Sequence, residues 1–151
     1  MNAPAYAELQ VTSNFSFLRG ASHAREFVER AVQLKLSAIA ITDTNTLAGV
    51  VRGHAAAQDA GLRFLVGARL DFTCGSPSVL CFPTDRAAYG RLARMISRGQ
   101  LRTQKGGCLL SYEDLQREAE GQLIVVVPPV TLTDVFEGWL KRLHGDFRRN
   151  I

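Results

Sequence analysis

Three segments of the sequence place polar side chains where a predicted strand ends. They cover residues 10–22 (QVTSNFSFLRGAS), 42–45 (TDTN) and 66–72 (VGARLDF). In α/β proteins the loops at the carboxyl ends of the strands converge on one site, where ligands bind and catalysis takes place. The middle segment is polar for its setting, because Asp43 directly follows residues 36–41, a run apolar enough to be a buried strand. These three segments therefore form the candidate functional site.

The elements that position these segments alternate between strands and helices. Apolar runs predict strands at residues 7–11, 37–41, 63–66, 78–82 and 122–127, with a further alternating stretch at 70–73. Amphipathic stretches predict helices at residues 24–34, 47–60, 86–98 and 133–149, and another helix that starts at Ser111. Asp85 is the expected N-cap of the third helix, and Ser111 with Asp114 forms a capping box.

Continuous apolar strands that alternate with helices predict a parallel sheet covered on both faces. Two architectures fit this order: an open doubly wound sheet and a (β/α) barrel. No GxGxxG follows the first strand, which counts against a dinucleotide-binding fold. A complete (β/α)₈ barrel takes about 250 residues, so a chain of 151 residues predicts a partial barrel.

The composition indicates one globular domain, with 46% hydrophobic and 21% charged residues. No apolar run approaches the ~20 residues of a membrane span, and the N-terminus lacks the pattern of a signal peptide; we expect a cytoplasmic protein. The net charge of +4 permits nucleic acid as a partner but does not require it. Cys74, Cys81 and Cys108 form no CxxC pair and are expected to be reduced thiols that fill space.

Several separated segments resemble one known family, in the same order. They are YAELQVTSNFSFLRGAS, ERAVQLKLSAIAITDTNTLAGVVRGHAAAQDAGLRFLVGARLDF and RAAYGRLARMISRGQLRTQKGGCLLSYEDL. They resemble the N-terminal PHP (polymerase and histidinol phosphatase) domain of bacterial C-family, DNA polymerase III alpha-like polymerases, in the error-prone branch. The likeness runs from residue 6 to residue 129. It implies a partial (β/α)₇-type barrel of mostly parallel strands, truncated after about five strands. Residues 1–129 would be the N-terminal part of the PHP domain, and residues 130–151 a C-terminal helix of the same domain, cut before the barrel closes.

An active PHP domain, as the resemblance implies, is a metal-dependent phosphoesterase. Its ligands include an H-x-H pair on the first strand and a carboxylate-bearing position two residues later. They also include an Asp-His pair after the second strand and a Glu after the third. The corresponding positions in this chain are Gln10, Thr12, Asn14, Asp43, Thr44 and Arg69.

The replacements predict a vestigial pocket that holds no metal and has no catalytic residue. Gln and Thr are neutral oxygen ligands, too weak to hold a transition metal against water. Arg69 places a permanent cation where a divalent ion would lie, and one carboxylate cannot offset two or three divalent charges. Asp43 could be a last metal ligand, cap the helix that starts at Leu47, or pair with Arg69; the last two are favoured. The three histidines fall on none of the ligand positions, and we expect surface or packing roles for His23, His54 and His144.

A basic stripe is the other chemical feature of the sequence. Arg91, Arg94 and Arg98 share one face of the third helix, and Arg102 joins them if the helix continues past Gly99. Lys105 and Arg86 add to the charge. The stripe is interpreted as a solvated helix face, as a contact with DNA phosphates, or as a charged contact with another domain.

The resemblance implies a silent PHP domain within a DNA-directed DNA polymerase, a nucleotidyltransferase that replicates across DNA damage. The polymerase site and its Mg²⁺ would lie outside this chain, which itself would hold no cofactor. The expected partners are the remaining polymerase domains, DNA, and translesion or sliding-clamp proteins. The alternatives are an active phosphoesterase or 3'-5' proofreading exonuclease, and a free-standing α/β binding module. Open edges at strands 7–11 and 122–127, with an uncovered final helix, predict self-association of the chain or a displaced final helix.

Overall fold

A computed structural model of the chain describes residues 5–148 and residue 150. The chain forms two compact units, Met1–Ala68 and Arg69–Ile151. In chain order the elements are β1 (Ala7–Val11), α1 (Ala24–Gln33), β2 (Ala38–Ile41), α2 (Val50–Asp59), β3 (Arg63–Val66), β4 (Ala68–Leu70), β5 (Val79–Pro83), α3 (Arg86–Leu101), α4 (Tyr112–Glu118), β6 (Gln122–Val126) and α5 (Asp134–Asp146). No helix among the described residues is long and apolar enough to cross a membrane.

The first unit contains a parallel sheet in the order β1-β2-β3. All four residues of β2 are buried, as expected of a central parallel strand with both faces covered. Its isoleucines join side chains of β1, α1 and α2 in one apolar core that includes Val11, Val28, Ala31, Ile39, Ile41 and Ala57. The predicted parallel pairing of these strands is confirmed. Because the strands run in the same direction, their carboxyl ends lie at one edge, where the candidate site begins.

The second unit contains an antiparallel pair of strands, which the expected arrangement of mostly parallel strands allows. Its sheet has the order β4-β5-β6, and β6 runs antiparallel to β5, with Val79 opposite Val126 and Pro83 opposite Gln122. The physical reason lies in the connection: two helices, α3 and α4, join these strands, so the chain reverses once more than in a strand–helix–strand unit. The described residues form six strands, close to the expected number, and β4 lies at Ala68–Leu70, slightly before the predicted alternating stretch.

Helix α3 continues past Gly99, the residue at which the sequence did not decide whether the helix ends. Asp85 caps it by accepting a 2.7 Å hydrogen bond from the backbone of Ala88, and the helix ends at Leu101 with Arg102 as its C-cap. A Cβ at Gly99 would stand 2.6 Å from Leu110 Cδ2, so this position needs glycine for the close approach of the following segment. Arg102 therefore extends the basic stripe.

Helix α5 packs on α4 within the second unit. The Tyr112 ring lies 5.4 Å from Trp139 and 5.8 Å from Phe147, centroid to centroid, and Tyr112 Oη donates a 2.8 Å hydrogen bond to Asp146. Leu143 and Phe147 are buried, whereas Leu140 is 38% exposed. The helix is thus partly covered by its own unit, although its predicted end at Arg149 lies outside the described residues.

The two strands predicted to have open edges lie at sheet ends. β1 is the first strand of one sheet and β6 the last of the other, not two edges of one sheet as predicted. The edge of β6 is partly occupied, because Ile124 N donates to Asn150 O (2.6 Å) and Asn150 Nδ2 donates to Gln122 O (2.8 Å). Self-association through this end stays a prediction.

Candidate functional site

Asp43 lies at the carboxyl end of β2 and is only 1% exposed. Its Oδ1 accepts hydrogen bonds from Ser13 N (2.8 Å) and Ser16 Oγ (2.7 Å), and its Oδ2 accepts one from Ser13 Oγ (2.6 Å). A Cβ at Gly49 would stand 2.7 Å from Oδ2, so the backbone closes over the carboxylate on that side. Asp43 is therefore enclosed and fully engaged by the loop that follows β1.

The prediction that Asp43 caps the second helix is wrong. Helix α2 begins at Val50, and its N-cap is Gly49, with no hydrogen bond from a capping side chain. The loop after β1 folds over the end of β2 and brings two hydroxyl donors, those of Ser13 and Ser16, to the carboxylate. The sequence contained a signal for these donors, because Ser13 and Ser16 stand three residues apart in the polar segment after β1.

The serines also organise the loop itself. Ser16 Oγ accepts a 2.9 Å hydrogen bond from Thr44 N, so this hydroxyl bonds to two consecutive residues of the β2 end. Ser13 Oγ accepts from Phe15 N (3.2 Å), and Thr44 Oγ1 accepts from Arg19 Nη1 (3.2 Å). The loop after β1 is thereby pinned to residues 43–44.

The other positions of the predicted pocket in the first unit carry neutral side chains. Gln10 is exposed on β1, whereas Thr12 and Asn14 are half-buried beyond its end. Asn14 Oδ1 and Thr42 Oγ1 are buried without a hydrogen-bond partner among the described residues. These neutral oxygens could bond to water, but they bring no charge to offset a divalent ion.

Arg69 belongs to the second unit and has partners there. Its Nε lies 3.0 Å from Asp71 Oδ1 and its Nη2 lies 2.9 Å from Ser78 Oγ, which itself donates to Asp71 Oδ1 (2.6 Å). Asp71 was missed as a site residue, although it stands only two positions after Arg69, just past the end of β4. The pairing of Arg69 with Asp43 stays a prediction, because the two residues belong to different units.

The residues present do not fit a catalytic metal cluster. The described part of the chain contains no group of three or more His, Cys, Asp or Glu residues that could hold a metal ion. Asp43, the one ligand that the family pattern retains, already accepts three hydrogen bonds. A metal would have to displace these donors and would gain a single negative charge. No chemical step through a metal follows from this arrangement.

The basic stripe faces carboxylates of α4 that sequence reasoning missed. Glu118 accepts from Arg94 Nη1 (3.2 Å) and Arg98 Nη1 (2.6 Å), and Asp114 forms a two-point contact with Arg102, whose Nη2–Oδ1 distance is 2.8 Å. The signal was the i, i+4 spacing of Asp114 and Glu118, which places both carboxylates on one face of α4. The Arg102 guanidinium holds the pKa of Asp114 well below its usual range, helped by the backbone of Ser111.

The stripe is therefore in part an internal ion-pair network rather than a solvated face. Arg91 Nε donates to the backbone oxygen of Glu120 at 2.7 Å, which fixes a fourth arginine against the end of α4. Lys105 is exposed in the turn after α3. The predicted contacts of Arg91, Arg94, Arg98, Arg102 and Lys105 with DNA or another domain stay predictions.

Comparison with known proteins places this geometry in a family. The PHP domain family matches residues 8–146. The error-prone DNA polymerase of Caulobacter vibrioides is 55% identical over 148 residues, which cover 98% of this chain and 14% of that polymerase. The error-prone DNA polymerase of Rhodopirellula baltica is 50% identical over 127 residues, covering 84% of this chain and 11% of the relative. The chain thus spans about one seventh or less of these relatives.

Solved structures agree on the fold. A protein from Bifidobacterium adolescentis, provisionally named a metal-dependent phosphoesterase, superposes with a TM-score of 0.71 at 17% identity, over 97% of this chain and 76% of that one. An amidohydrolase from Chromobacterium violaceum gives a TM-score of 0.67, also at 17% identity, over 95% of this chain and 75% of that one. The chain belongs to the PHP domain family and is similar to part of the error-prone DNA polymerases.

Proposed function

We propose that this chain is a catalytically silent PHP domain and a structural part of an error-prone DNA polymerase that acts in DNA repair and translesion synthesis. The nucleotidyl transfer and its Mg²⁺ ions belong, in this proposal, to parts of the polymerase outside these residues. The similarity to error-prone DNA polymerases over most of the chain supports its placement within such a polymerase. The partners are the remaining polymerase domains and DNA, with sliding-clamp or other translesion proteins as further candidates, in the cytoplasm.

The observation that carries the silent role is the engagement of Asp43. Metal-dependent phosphoester hydrolysis needs divalent ions that activate water and offset charge on the phosphoryl oxygens. At the family's ligand positions this chain has Gln10, Thr12, Asn14 and Arg69, and its single carboxylate accepts bonds from Ser13 and Ser16. Such a donor set favours a hydrogen-bonded structural pocket over a reaction centre.

Elemental analysis tests the silent role directly. After purification and dialysis without chelator, we expect well below one Zn, Mn or Fe per chain, because one engaged carboxylate cannot retain a transition metal. We also expect no hydrolysis of p-nitrophenyl phosphate and no 3'-5' degradation of single-stranded DNA when Mn²⁺ or Zn²⁺ is added. The matched variants are Asp43→Asn in the pocket and Gln10→Ala at its exposed rim.

The second candidate function is an active phosphoesterase or proofreading exonuclease. The buried oxygens of Asn14 and Thr42, which lack partners among the described residues, are the observation that favours it. One or more metals per chain, together with an activity that Asp43→Asn abolishes, would establish this candidate and refute the silent role.

Contact between DNA and the basic stripe can be tested with a variant of Glu118, the buried carboxylate that pairs with Arg94 and Arg98. Replacing Glu118 with glutamine keeps its shape but frees the charges of Arg94 and Arg98. If the stripe contacts phosphates, Glu118→Gln should bind all duplex sequences more tightly and steepen the salt dependence by about 0.9 for each additional phosphate contact. Lys105→Ala should weaken binding equally for all sequences.

Fluorescence anisotropy over a range of salt concentrations measures both effects. We expect weak, sequence-independent binding by the unaltered chain, because two buried carboxylates already pair with three of the arginines. If neither the unaltered chain nor Glu118→Gln binds DNA at low salt, phosphate contact is excluded, and the contact of the stripe with another domain remains as its proposed role beside the internal ion pairs.

A further inference from the structure

Two adjacent apolar side chains project from the loop after β1. Phe17 is 85% exposed and Leu18 is 90% exposed. Single exposed apolar residues are common on protein surfaces and need no explanation. An adjacent aromatic and aliphatic pair, both almost fully exposed in one loop, offers apolar surface that burial in a partner's pocket would remove from water.

The backbone conformation of Leu18 is energetically unfavourable. Leu18 has a φ of +61°, in the left-handed region that a bulky side chain without a local hydrogen-bonding group rarely adopts. Because the Leu18 side chain is exposed, its contacts within the chain offset little of this free-energy cost. Unfavourable backbone conformations of this kind persist where the surroundings enforce them, and they cluster at functional sites.

The loop is also rigidly attached. Ser16, directly before Phe17, bonds through its hydroxyl to Asp43 and Thr44, and its backbone oxygen accepts from Arg19 N (2.9 Å) and Gly20 N (3.1 Å). Residues on both sides of the pair are thus fixed. A fixed anchor loses little conformational entropy when it binds, which favours docking.

We propose that Phe17 and Leu18 form a docking anchor for an apolar pocket in the part of the polymerase chain outside these 151 residues. The inference rests on the proposed function and adds to it the surface that carries the interdomain role. Asp43 occupies a position where active members of the family hold a metal ligand. In this proposal its hydrogen bonds to the loop after β1 instead hold the anchor in place.

The small size of the anchor favours a binding pocket on the same polypeptide chain. Two side chains bury on the order of a few hundred Å², whereas stable complexes between separate proteins bury about 1,200–2,000 Å². A partner on the same chain needs far less, because covalent linkage raises the effective concentration into the millimolar range. The relatives that align with nearly all of this chain have most of their length elsewhere, since the alignment covers 14% of the Caulobacter polymerase.

A chimeric polymerase tests the anchor in a full-length protein. The matching segment of the Caulobacter vibrioides error-prone DNA polymerase is replaced by this chain, and the double variant Phe17→Ser/Leu18→Gly is compared with the unaltered chimera. Val51→Ser is the matched control, because Val51 is also an exposed apolar residue of the first unit, on α2. Leu18→Asn is a second variant, since asparagine tolerates the left-handed backbone.

We expect protease cleavage at the junction with the rest of the polymerase to become at least fivefold faster in the double variant and faster in Leu18→Asn. Val51→Ser should match the unaltered chimera. The isolated 151-residue chain should keep its Tm with Val51→Ser and keep or raise it with the variants at position 18, because glycine and asparagine tolerate the left-handed backbone there. A Tm that does not fall separates lost docking from unfolding. Equal cleavage rates in the double variant and Val51→Ser would overturn the anchor.

Two further outcomes separate the anchor from the proposed function. If the isolated chain sediments as a dimer that Phe17→Ser/Leu18→Gly dissociates, the occupant is a second copy and the proposal is wrong. If the unaltered chimera extends no primer while the parent polymerase does, the polymerase role itself fails, and the anchor with it. A working chimera that is indifferent to the anchor variants refutes the anchor alone.

Discussion

Replacing Asp43 with alanine should destabilise the chain by about 3 kcal/mol. Asp43 is buried and accepts three hydrogen bonds, from Ser13 N, Ser13 Oγ and Ser16 Oγ. Alanine leaves these donors in a buried pocket with no acceptor, and each such group costs roughly 1–3 kcal/mol, partly recovered by water or local rearrangement. Asp43→Asn retains one acceptor oxygen and should cost roughly half as much, as measured by urea denaturation at pH 7.

The matched control is Gln10→Ala, at another position of the same pocket. Gln10 is exposed, so this change should alter the free energy of unfolding by less than about 0.5 kcal/mol. Addition of Mn²⁺ or Zn²⁺, or of a chelator, should leave the denaturation midpoint of the unaltered chain unchanged. A metal that stabilises the unaltered chain but not Asp43→Ala would contradict the view that hydrogen bonds have replaced the metal in this pocket.

Local signals predicted most of the elements, because their physical causes are local. Asp85 and Ser111 cap α3 and α4 through donors three residues away, and sequence spacing alone places such donors. The apolar run of β2 predicts burial on both faces, and all four of its residues are buried. The alternation of apolar strands with helices predicted the parallel arrangement of the first sheet, which the structure confirms.

The direction of β6 could not be predicted from its own residues. Its apolar run fits a parallel or an antiparallel neighbour equally well, and the choice depends on the path of the connection that precedes it. The short helix α4 was predicted to start at Ser111, but its effect on the chain direction depends on how it packs against α3 and β5. Strand direction is in this case a property of the whole connection.

The partners of the site residues were missed for a similar reason. Asp43 and Ser13 are 30 residues apart, and Arg98 and Glu118 are 20 apart, so no local spacing joins them. The sequence predicted which residues are charged and which helix faces they occupy. For Asp43 it predicted the nearest helix as the partner. Only the path of the loop after β1 decides that serine hydroxyls reach the carboxylate first.

Acid should weaken the second unit through Asp114. Asp114 is buried between the capping position of α4 and Arg102, and its pKa is depressed below the ordinary value of 3.8, chiefly by the Arg102 hydrogen bond and also by the Ser111 backbone. A depressed carboxyl pKa contributes stability that is present above the unfolded value and is lost as the pH falls through the folded value. The stabilisation from Asp114 should therefore be complete at pH 7 and decline below a pH of about 3.8.

Asp114→Asn isolates this contribution. At pH 7 we expect a loss of about 2 kcal/mol, because breaking a buried ion pair costs 3–5 kcal/mol and the half-exposed Arg102 reduces that figure through solvent screening. Between pH 4 and pH 2 the variant should lose less stability than the unaltered chain, since asparagine does not titrate. Glu137→Gln on α5 is the control, because the ion pair of Glu137 with Lys141 is exposed, and it should change the free energy of unfolding at pH 7 by less than about 0.5 kcal/mol. The free energy of unfolding is measured by urea denaturation at each pH. If it falls equally steeply with pH in Asp114→Asn and in the unaltered chain, the Arg102–Asp114 pair does not couple protonation to folding.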